Sequence, residues 1–405
     1  MTKIAVLGYG TVGSGVVEVL KMNQDLISKK VGEKIEVKYV FGRHEYKGTP
    51  AEKLVVHDFE TILNDKEIEI IVEVMGGVDT AYTFVKRALL MDKHVVTANK
   101  ALVAAYGCEL LKTAQEHKVN FMFEASVAGT IPIIRSLNCA LTADKINKIT
   151  GILNGTTNYM MTDMFYHGAD YKESLKEAQD KGYAESNPKA DVEGYDACRK
   201  LAILASVISG KYVDFQKIYT EGITKISKID MKYADQMGMT IKLLASAVEE
   251  GDQIQAIVAP FLLKQEHPLY SVNGVFNAVF VKGNVSGDTM FYGSGAGKLP
   301  TAGAVISDVI EIVKNKEKNI MAFWTEEEQV LTEHRETKRR FFVRMSGNRE
   351  DYEEKIKENF KEVQFLKLDH VANEFAFVTE KIKEGVYEEK AGAFSNILHM
   401  IRIED

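Results

Sequence analysis

The apolar and polar positions of the first quarter of the chain alternate between two periods. Residues 3–7, 35–41, 68–74, 94–98 and 120–125 are short apolar or alternating runs with the length of strands. Between them, residues 12–28, a stretch ending at Leu90 and the segment before Asn120 carry apolar residues at helical spacing. Strands separated by helices predict parallel pairing, and so an α/β unit with a Rossmann-type doubly wound sheet.

The rhythm changes near Val127. Residues 145–154 read as a strand, and 156–166, 171–181 and 193–209 as helices. Segments 241–249 and 253–260 flank a turn at Gly251-Asp252, and 275–282 and 285–292 form a second strand pair. This middle region is expected to be an α+β unit built on an antiparallel sheet, separate from the first. Residues 300–313 read as a helix; its expected place is back against the first unit, which periodicity itself does not show. From Arg340 the order is strand 340–345, helix 351–360, strands 362–368 and 374–379, a helix, and strand 398–404. That β-α-β-β-α-β order is ferredoxin-like. The expected units are 1–126 with 300–318, then 127–299, then 339–405, with the charged stretch 326–340 as a linker.

Composition narrows the class. Of 405 residues, 45% are hydrophobic and 27% charged, and the net charge is −7. An acidic chain lacks the clustered positive field that nucleic acid requires. No apolar run reaches the roughly 18 residues that span a bilayer. The first residues lack the basic start and long apolar run of a signal peptide. Cys108, Cys139 and Cys198 are far apart with no C-x-x-C pair, which suits a reducing cytoplasm. Cys139 lies in an apolar helical run with no histidine near it in sequence and is expected in the core. The nine histidines show no metal-ligand spacing.

Four motifs carry chemistry. Gly8-Tyr9-Gly10-Thr11-Val12-Gly13 follows the first strand and opens a helix. In a dinucleotide fingerprint Gly8 makes the tight turn, Gly10 admits the pyrophosphate, and Gly13 lets helix and strand pack closely. The N–H groups of Thr11 and Val12 then face the phosphates. At the end of the second strand, where an acid for the ribose is usual, stands Arg43, which suits a 2′-phosphate or else is a solvated loop residue. Glu45 follows two residues later and suits a ribose, so NADP and NAD both stay open. The second motif, Thr97-Ala98-Asn99-Lys100, sits at the carboxyl end of a parallel strand, where Lys100 is a candidate to meet cofactor or substrate.

The third motif runs from Gly182 through Glu185 and Asp191 to Asp196 and Lys200. Asp196 and Lys200 stand four apart on one helix face, beside the apolar stripe Ala197, Leu201, Leu204 and Ile208. Spacing alone favours a surface ion pair; an edge position would instead tune the lysine. In the fourth, Gly293-Ser294-Gly295-Ala296-Gly297-Lys298, three glycines precede a helix; such a loop either approaches a ligand closely, with Gly295 the candidate cofactor contact, or simply connects domains.

Taken in order, GYGTVGSG (8–15), TANK (97–100), EASVAGTIP (124–132), NGTTNY (154–159), ESNPKADVEGYDACRK (185–200) and GAGKLPTA (295–302) resemble the homoserine dehydrogenase family. The resemblance implies reversible, NAD(P)-dependent interconversion of L-homoserine and L-aspartate 4-semialdehyde, a step toward threonine and methionine. It implies Lys200 as the acid/base, Lys100 as a second candidate for proton transfer, Glu185 and Asp196 as holders of the amino-acid substrate, and Gly182 as a cofactor contact. It further implies a sodium or potassium ion on the backbone carbonyls of Glu124, Val127, Gly129 and Ile131, a substrate, catalytic and dimerisation role for the α+β unit 127–299, and a homodimer or homotetramer.

The C-terminal unit is similar to an ACT domain. Its first turn is Ser346-Gly347-Asn348-Arg349-Glu350 in place of the usual Asp-x-Pro-Gly, so effector binding and a purely dimerising role both stay open. Two rivals remain: a semialdehyde dehydrogenase acting through a thioester on Cys139, and an amino-acid-sensing module without chemistry.

Overall fold

The computed structural model describes residues 1–404. The chain begins with β1 (Thr2–Leu7), α1 (Thr11–Met22), α2 (Gln24–Val31) and β2 (Ile35–Phe41). The sequence predicts one helix over 12–28, but the chain breaks at Asn23, and α2 ends on Gly32 in the left-handed region. Then follow β3 (Val55–Val56), α3 (Phe59–Leu63), β4 (Ile68–Glu73), α4 (Asp79–Leu90), β5 (His94–Thr97), α5 (Lys100–Glu116) and β6 (Phe121–Met122). β3 and α3 are too short to leave a periodic signal. The strand expected over 120–125 shrinks to β6 because the chain winds into a 3-10 turn at Glu124–Ser126. All six strands pair in parallel in the order β3-β2-β1-β4-β5-β6. The order reverses between β1 and β4, and a ligand crevice opens beyond the carboxyl ends of the strands at such a point.

The single turn α6 (Ile133–Arg135) leads to β7 (Ile146–Ile152), α7 (Gly155–Tyr166), α8 (Tyr171–Asp180), α9 (Lys189–Val192), α10 (Tyr195–Ser209), β8 (Lys211–Tyr212), β9 (Tyr219–Thr220) and α11 (Lys228–Gln236). The expected hairpin is β10 (Met239–Glu250) and β11 (Gln253–Lys264), and the second pair is β12 (Phe276–Gly283) and β13 (Gly287–Ser294). With β7 these make an antiparallel sheet, ordered β13-β12-β7-β10-β11. Helix α12 (Lys298–Lys314) returns to the parallel sheet. Its Ala302, Val305, Ile306 and Val309 are buried against Ile4, Val6, Val16 and Leu20. Each valine, leucine or isoleucine among these contributes about 1.5–3 kcal/mol when fully buried, so the crevice wall formed by α1 is held from behind.

The stretch expected as a linker is strapped down. Its β14 (Thr325–Glu328) pairs with β8, and Glu326, Glu327 and Glu328 form ion pairs with Lys112, Lys211 and Lys217. The remainder is β15 (Lys338–Ser346), α13 (Arg349–Asn359), β16 (Val363–Leu366), β17 (Glu374–Thr379), β18 (Ile382–Lys383), α14 (Glu384–Ala391) and β19 (Ile397–Ile403). Its strands lie in the order β19-β15-β17-β16. β19 also pairs in parallel with β11 at Phe261↔Arg402 and Leu262↔Ile403, which fuses the C-terminal strands to the antiparallel sheet. Among the described residues no helix is long and apolar enough to cross a membrane.

Candidate active site

The loop from β1 into α1 is shaped by glycine. A β-carbon on Gly13 would stand 2.0 Å from the Gly8 carbonyl oxygen, so no larger residue fits. At Gly10 the same atom would meet nothing within 4 Å, leaving that face of the backbone open to a ligand. Gly10 caps α1 without a side-chain acceptor, so the N–H groups of the first turn, Thr11 and Val12 included, are free for an anion. Arg43 stands exposed just past β2. Glu45, the alternative ribose partner, lies 3.0 Å from His57 Nε2, while His57 Nδ1 is 2.7 Å from the Gly42 carbonyl.

The second cluster lies at the carboxyl ends of β4 and β5. Thr97 donates its hydroxyl to Glu73 (2.6 Å), and the Met75 N–H donates to the other Glu73 oxygen (2.7 Å). Asn99 caps α5 by accepting from the Leu102 N–H (3.1 Å), which sets Lys100 at the helix start. Glu73 is fully buried, and burial pushes its carboxyl up to about 7 against the opposing hydrogen bonds. Nothing in the sequence singles out Glu73. A raised carboxyl contributes stability that is fully present below its ordinary 4.5 and is lost as the pH rises through about 7. Glu73→Gln should therefore melt progressively higher, relative to the unaltered chain, between about pH 5 and about pH 8. A constant difference in melting temperature across that range would refute the assignment.

The third motif departs most from its surface reading. Asp196 is 3% exposed and Lys200 9% exposed. Helix α10 is buried over most of Asp196–Ser206, so the face carrying the pair is largely shielded from water. Lys200 Nζ donates to Asp196 Oδ2 (2.6 Å) and to the Leu153 carbonyl (2.7 Å). Lys100 Nζ reaches Asp196 Oδ1 (2.5 Å) from the end of β5. Asn154 caps α7 through its side-chain oxygen and donates its amide hydrogens to Asp191 (2.7 Å) and Asp196 (2.9 Å). Burial pushes the Lys200 ammonium below its ordinary value, and the Lys100 charge adds to this; the attraction of Asp196 opposes it without cancelling it. Burial raises the Asp196 carboxyl, but the two lysines and Asn154 outweigh it, and the net shift is downward.

This geometry fixes where a proton can move. A neutral lysine has two N–H groups and one lone pair. With both N–H groups given to Leu153 and Asp196, the lone pair takes the remaining tetrahedral direction. A base held in this way can accept a proton along one line only.

Gly182 and Glu185 lie in the exposed loop between α8 and α9. Thr156 pins that loop to α7 by donating to the Tyr183 carbonyl (2.5 Å), and Gln179 donates to the Glu185 carbonyl (3.1 Å). Among the described residues no hydrogen bond or ion pair joins the Glu185 carboxylate to Asp196 or Lys200. The segment 124–131 is buried except at Thr130, with Ala128 (φ 56) and Gly129 (φ 58) both in the left-handed region. Thr130 donates from its N–H (3.1 Å) and hydroxyl (2.9 Å) to the Ser294 carbonyl, which joins this loop to the one bearing Gly295. The Glu124 and Ile131 carbonyls accept from Val127 and Ile133. Among the described residues no hydrogen bond reaches the carbonyls of Val127 or Gly129, so these buried acceptors fit a cation.

Cys139 is not in the core. Residues Ser136–Ala140 wind as a wide π turn that leaves it exposed, and the Asn138 amide lies 3.9 Å from its sulfur. Among the described residues no histidine bonds to its thiol.

A parallel doubly wound sheet with free N–H groups at its first helix, and a lysine–aspartate–lysine cluster past its strand ends in which Asp196 and Lys200 are buried, defines a nicotinamide-dependent oxidoreductase. Residues 8–124 match the family model described as the homoserine dehydrogenase NAD binding domain, and residues 132–310 match that described as homoserine dehydrogenase. The homoserine dehydrogenase of Bacillus subtilis is 44% identical over 317 residues, 77% of this chain and 73% of its own. That of Synechocystis is 47% identical over 319 residues, with the same two shares. The structure of a homoserine dehydrogenase from Thiobacillus denitrificans superposes with a TM-score of 0.93 at 33% identity, covering 100% of this chain and 98% of that one. A hyperthermophilic archaeal homoserine dehydrogenase in complex with NADPH superposes with a TM-score of 0.67 at 25% identity, covering 79% and 99%. The chain belongs to the homoserine dehydrogenase family, and it is an NAD(P)-dependent oxidoreductase acting on a CH–OH group.

Proposed function

We propose that Lys200 is the acid/base of homoserine oxidation and semialdehyde reduction, and that the reaction feeds threonine and methionine synthesis. The observation that carries this reading is the buried lysine clamped between Leu153 and Asp196. A nicotinamide, when bound, supplies or accepts the hydride. Lys200 takes the hydroxyl proton along its free direction during oxidation and returns it during reduction. Asp196, with Glu185 from the exposed loop, holds the substrate ammonium, and Lys100 is the second group able to move a proton there.

The dinucleotide lies on Gly8, Gly10, Thr11, Val12 and Gly13, with Gly182 and Gly295 as further contacts. Arg43 makes NADP the preferred form, a reading supported by the engagement of Glu45 with His57. A sodium or potassium ion sits on the carbonyls of Glu124, Val127, Gly129 and Ile131 and orders the loop that meets Ser294. The chain divides into 1–126 with 300–318, 127–299 and an ACT-like 339–405. It works in the cytoplasm as a homodimer or homotetramer, which sedimentation should reveal as a species larger than the single chain.

The test is an absorbance assay of nicotinamide reduction by homoserine, run with NADP⁺ and NAD⁺, and in sodium, potassium or choline buffer. Reduction that needs homoserine and slows in choline supports the substrate and the cation; no reduction with either cofactor refutes the reading. Arg43→Ala should raise the KM for NADPH by about tenfold and leave that for NADH within about twofold, as loss of one charge-assisted contact predicts. Equal changes would remove Arg43 from the 2′-phosphate site.

A further inference from the structure

The C-terminal unit meets the rest of the chain at a buried arginine. Arg402 on β19 is 1% exposed and lies over the Tyr219 ring, 5.0 Å from its centroid. Its Nε (2.9 Å) and Nη2 donate to Glu384 on α14, within the C-terminal unit. Its Nη1 donates to Glu221, outside that unit, at 2.6 Å. One guanidinium thus ties two carboxylates from different parts of the chain.

Glu221 leads toward the active site. Its N–H donates to the Val258 carbonyl (2.8 Å) on β11. The next residue, Gly222, is pressed so closely on the substrate-side segment that a β-carbon would lie 2.1 Å from the Val192 carbonyl and 2.4 Å from Glu193 Cα. The Ile223 N–H then donates to that same Val192 carbonyl (2.8 Å). Val192 directly follows Asp191, which accepts from Asn154, and Asn154 donates to Asp196. Every joint is a hydrogen bond or a close backbone contact, so a shift at Glu221 reaches Asp191 with little slack.

From this we infer that Glu221 is a positioning residue for the reaction: its ion pair with Arg402 holds residues 221–223 against Val192 and so sets Asp191 and Asn154 behind Asp196. The inference rests on the reading that Asp196 holds the amino-acid substrate. The C-terminal unit has a separate attachment, because Asp230 on α11 meets His399 (3.1 Å) and Arg344 (3.2 Å). The link can therefore be cut without detaching the unit.

Glu221→Gln in the full chain should raise the KM for homoserine by roughly tenfold, as expected for a misplaced binding group, while kcat and the KM for NADP⁺ stay within about twofold. Glu221 is only partly buried, and the variant leaves the Arg402–Glu384 pair intact, so the fold is expected to survive; circular dichroism checks this. Arg402→Lys, which keeps a cation for Glu221, should fall between the two. An unchanged homoserine KM in Glu221→Gln, or equal rises in both KM values, overturns the link. Asp196→Asn run alongside separates the two claims: if it raises the homoserine KM while Glu221→Gln does not, only the link fails. If Asp196→Asn leaves that KM unchanged, the reading beneath it fails as well.

Discussion

Lys200→Ala should lower the turnover of homoserine oxidation by about two to four orders of magnitude, the range of a lost general base. NADPH should still bind, because the free N–H groups of α1 are on a different element. The fold should survive, because Asp196 keeps Lys100 and Asn154 as partners once Lys200 is gone. Lys200→Met, which keeps the length and removes the amine, should behave alike and exclude a packing effect. Lys100 lies at the more exposed edge of the cluster, its side chain 39% exposed against 11% for Lys200. If Lys100→Ala costs more turnover than Lys200→Ala, the two roles are reversed.

Asp196→Asn should be nearly as damaging, for a different reason. Asparagine keeps the shape of the carboxylate but leaves two ammonium groups facing a neutral amide. Breaking a buried pair by removing one partner costs about 3–5 kcal/mol when the remaining charge stays buried, and Lys200 is the buried one here. The attraction of Asp196 holds the Lys200 proton affinity up, so its loss should move the activity inflection to lower pH. Stability carries its own sign. The Asp196 carboxyl lies below its ordinary 3.8, so its stabilisation is present above pH 3.8 and is lost as the pH falls through the folded value. Thermal melts should therefore separate the variant from the unaltered chain at neutral pH and converge in acid. A gap that persists at low pH would mean that the loss is steric.

The parts legible in the sequence are those written in contiguous residues. The phosphate turn lies within residues 2–13, and the closest approach at Gly13 is to Gly8, five residues back in the same turn. The hairpin turn at Gly251-Asp252 is likewise local, and β10 and β11 pair across it. The Asp196–Lys200 pair is legible as spacing but not as burial, because a four-residue interval is the same on a solvated helix and an enclosed one. What encloses α10 is packing by distant segments. Asn154 and Asp191 stand in motifs legible in the sequence, but their pairing joins distant segments and leaves no signal there, and Glu73 gives none because burial, not spacing, shifts its carboxyl. The exposure of Cys139 depends on a single π turn that periodicity does not register. The parallel seam between β11 and β19 is only two residue pairs long, too short to read from pattern.

The most direct test of the central claim is the pH dependence of hydride transfer, followed by single-turnover reduction of NADP⁺ with homoserine. The unaltered chain should show a rate that rises with pH and levels off at an inflection below a lysine's ordinary 10.5. In Lys200→Ala the small residual rate should lack that inflection. An unchanged inflection in Lys200→Ala would mean that another group moves the proton and would contradict the account.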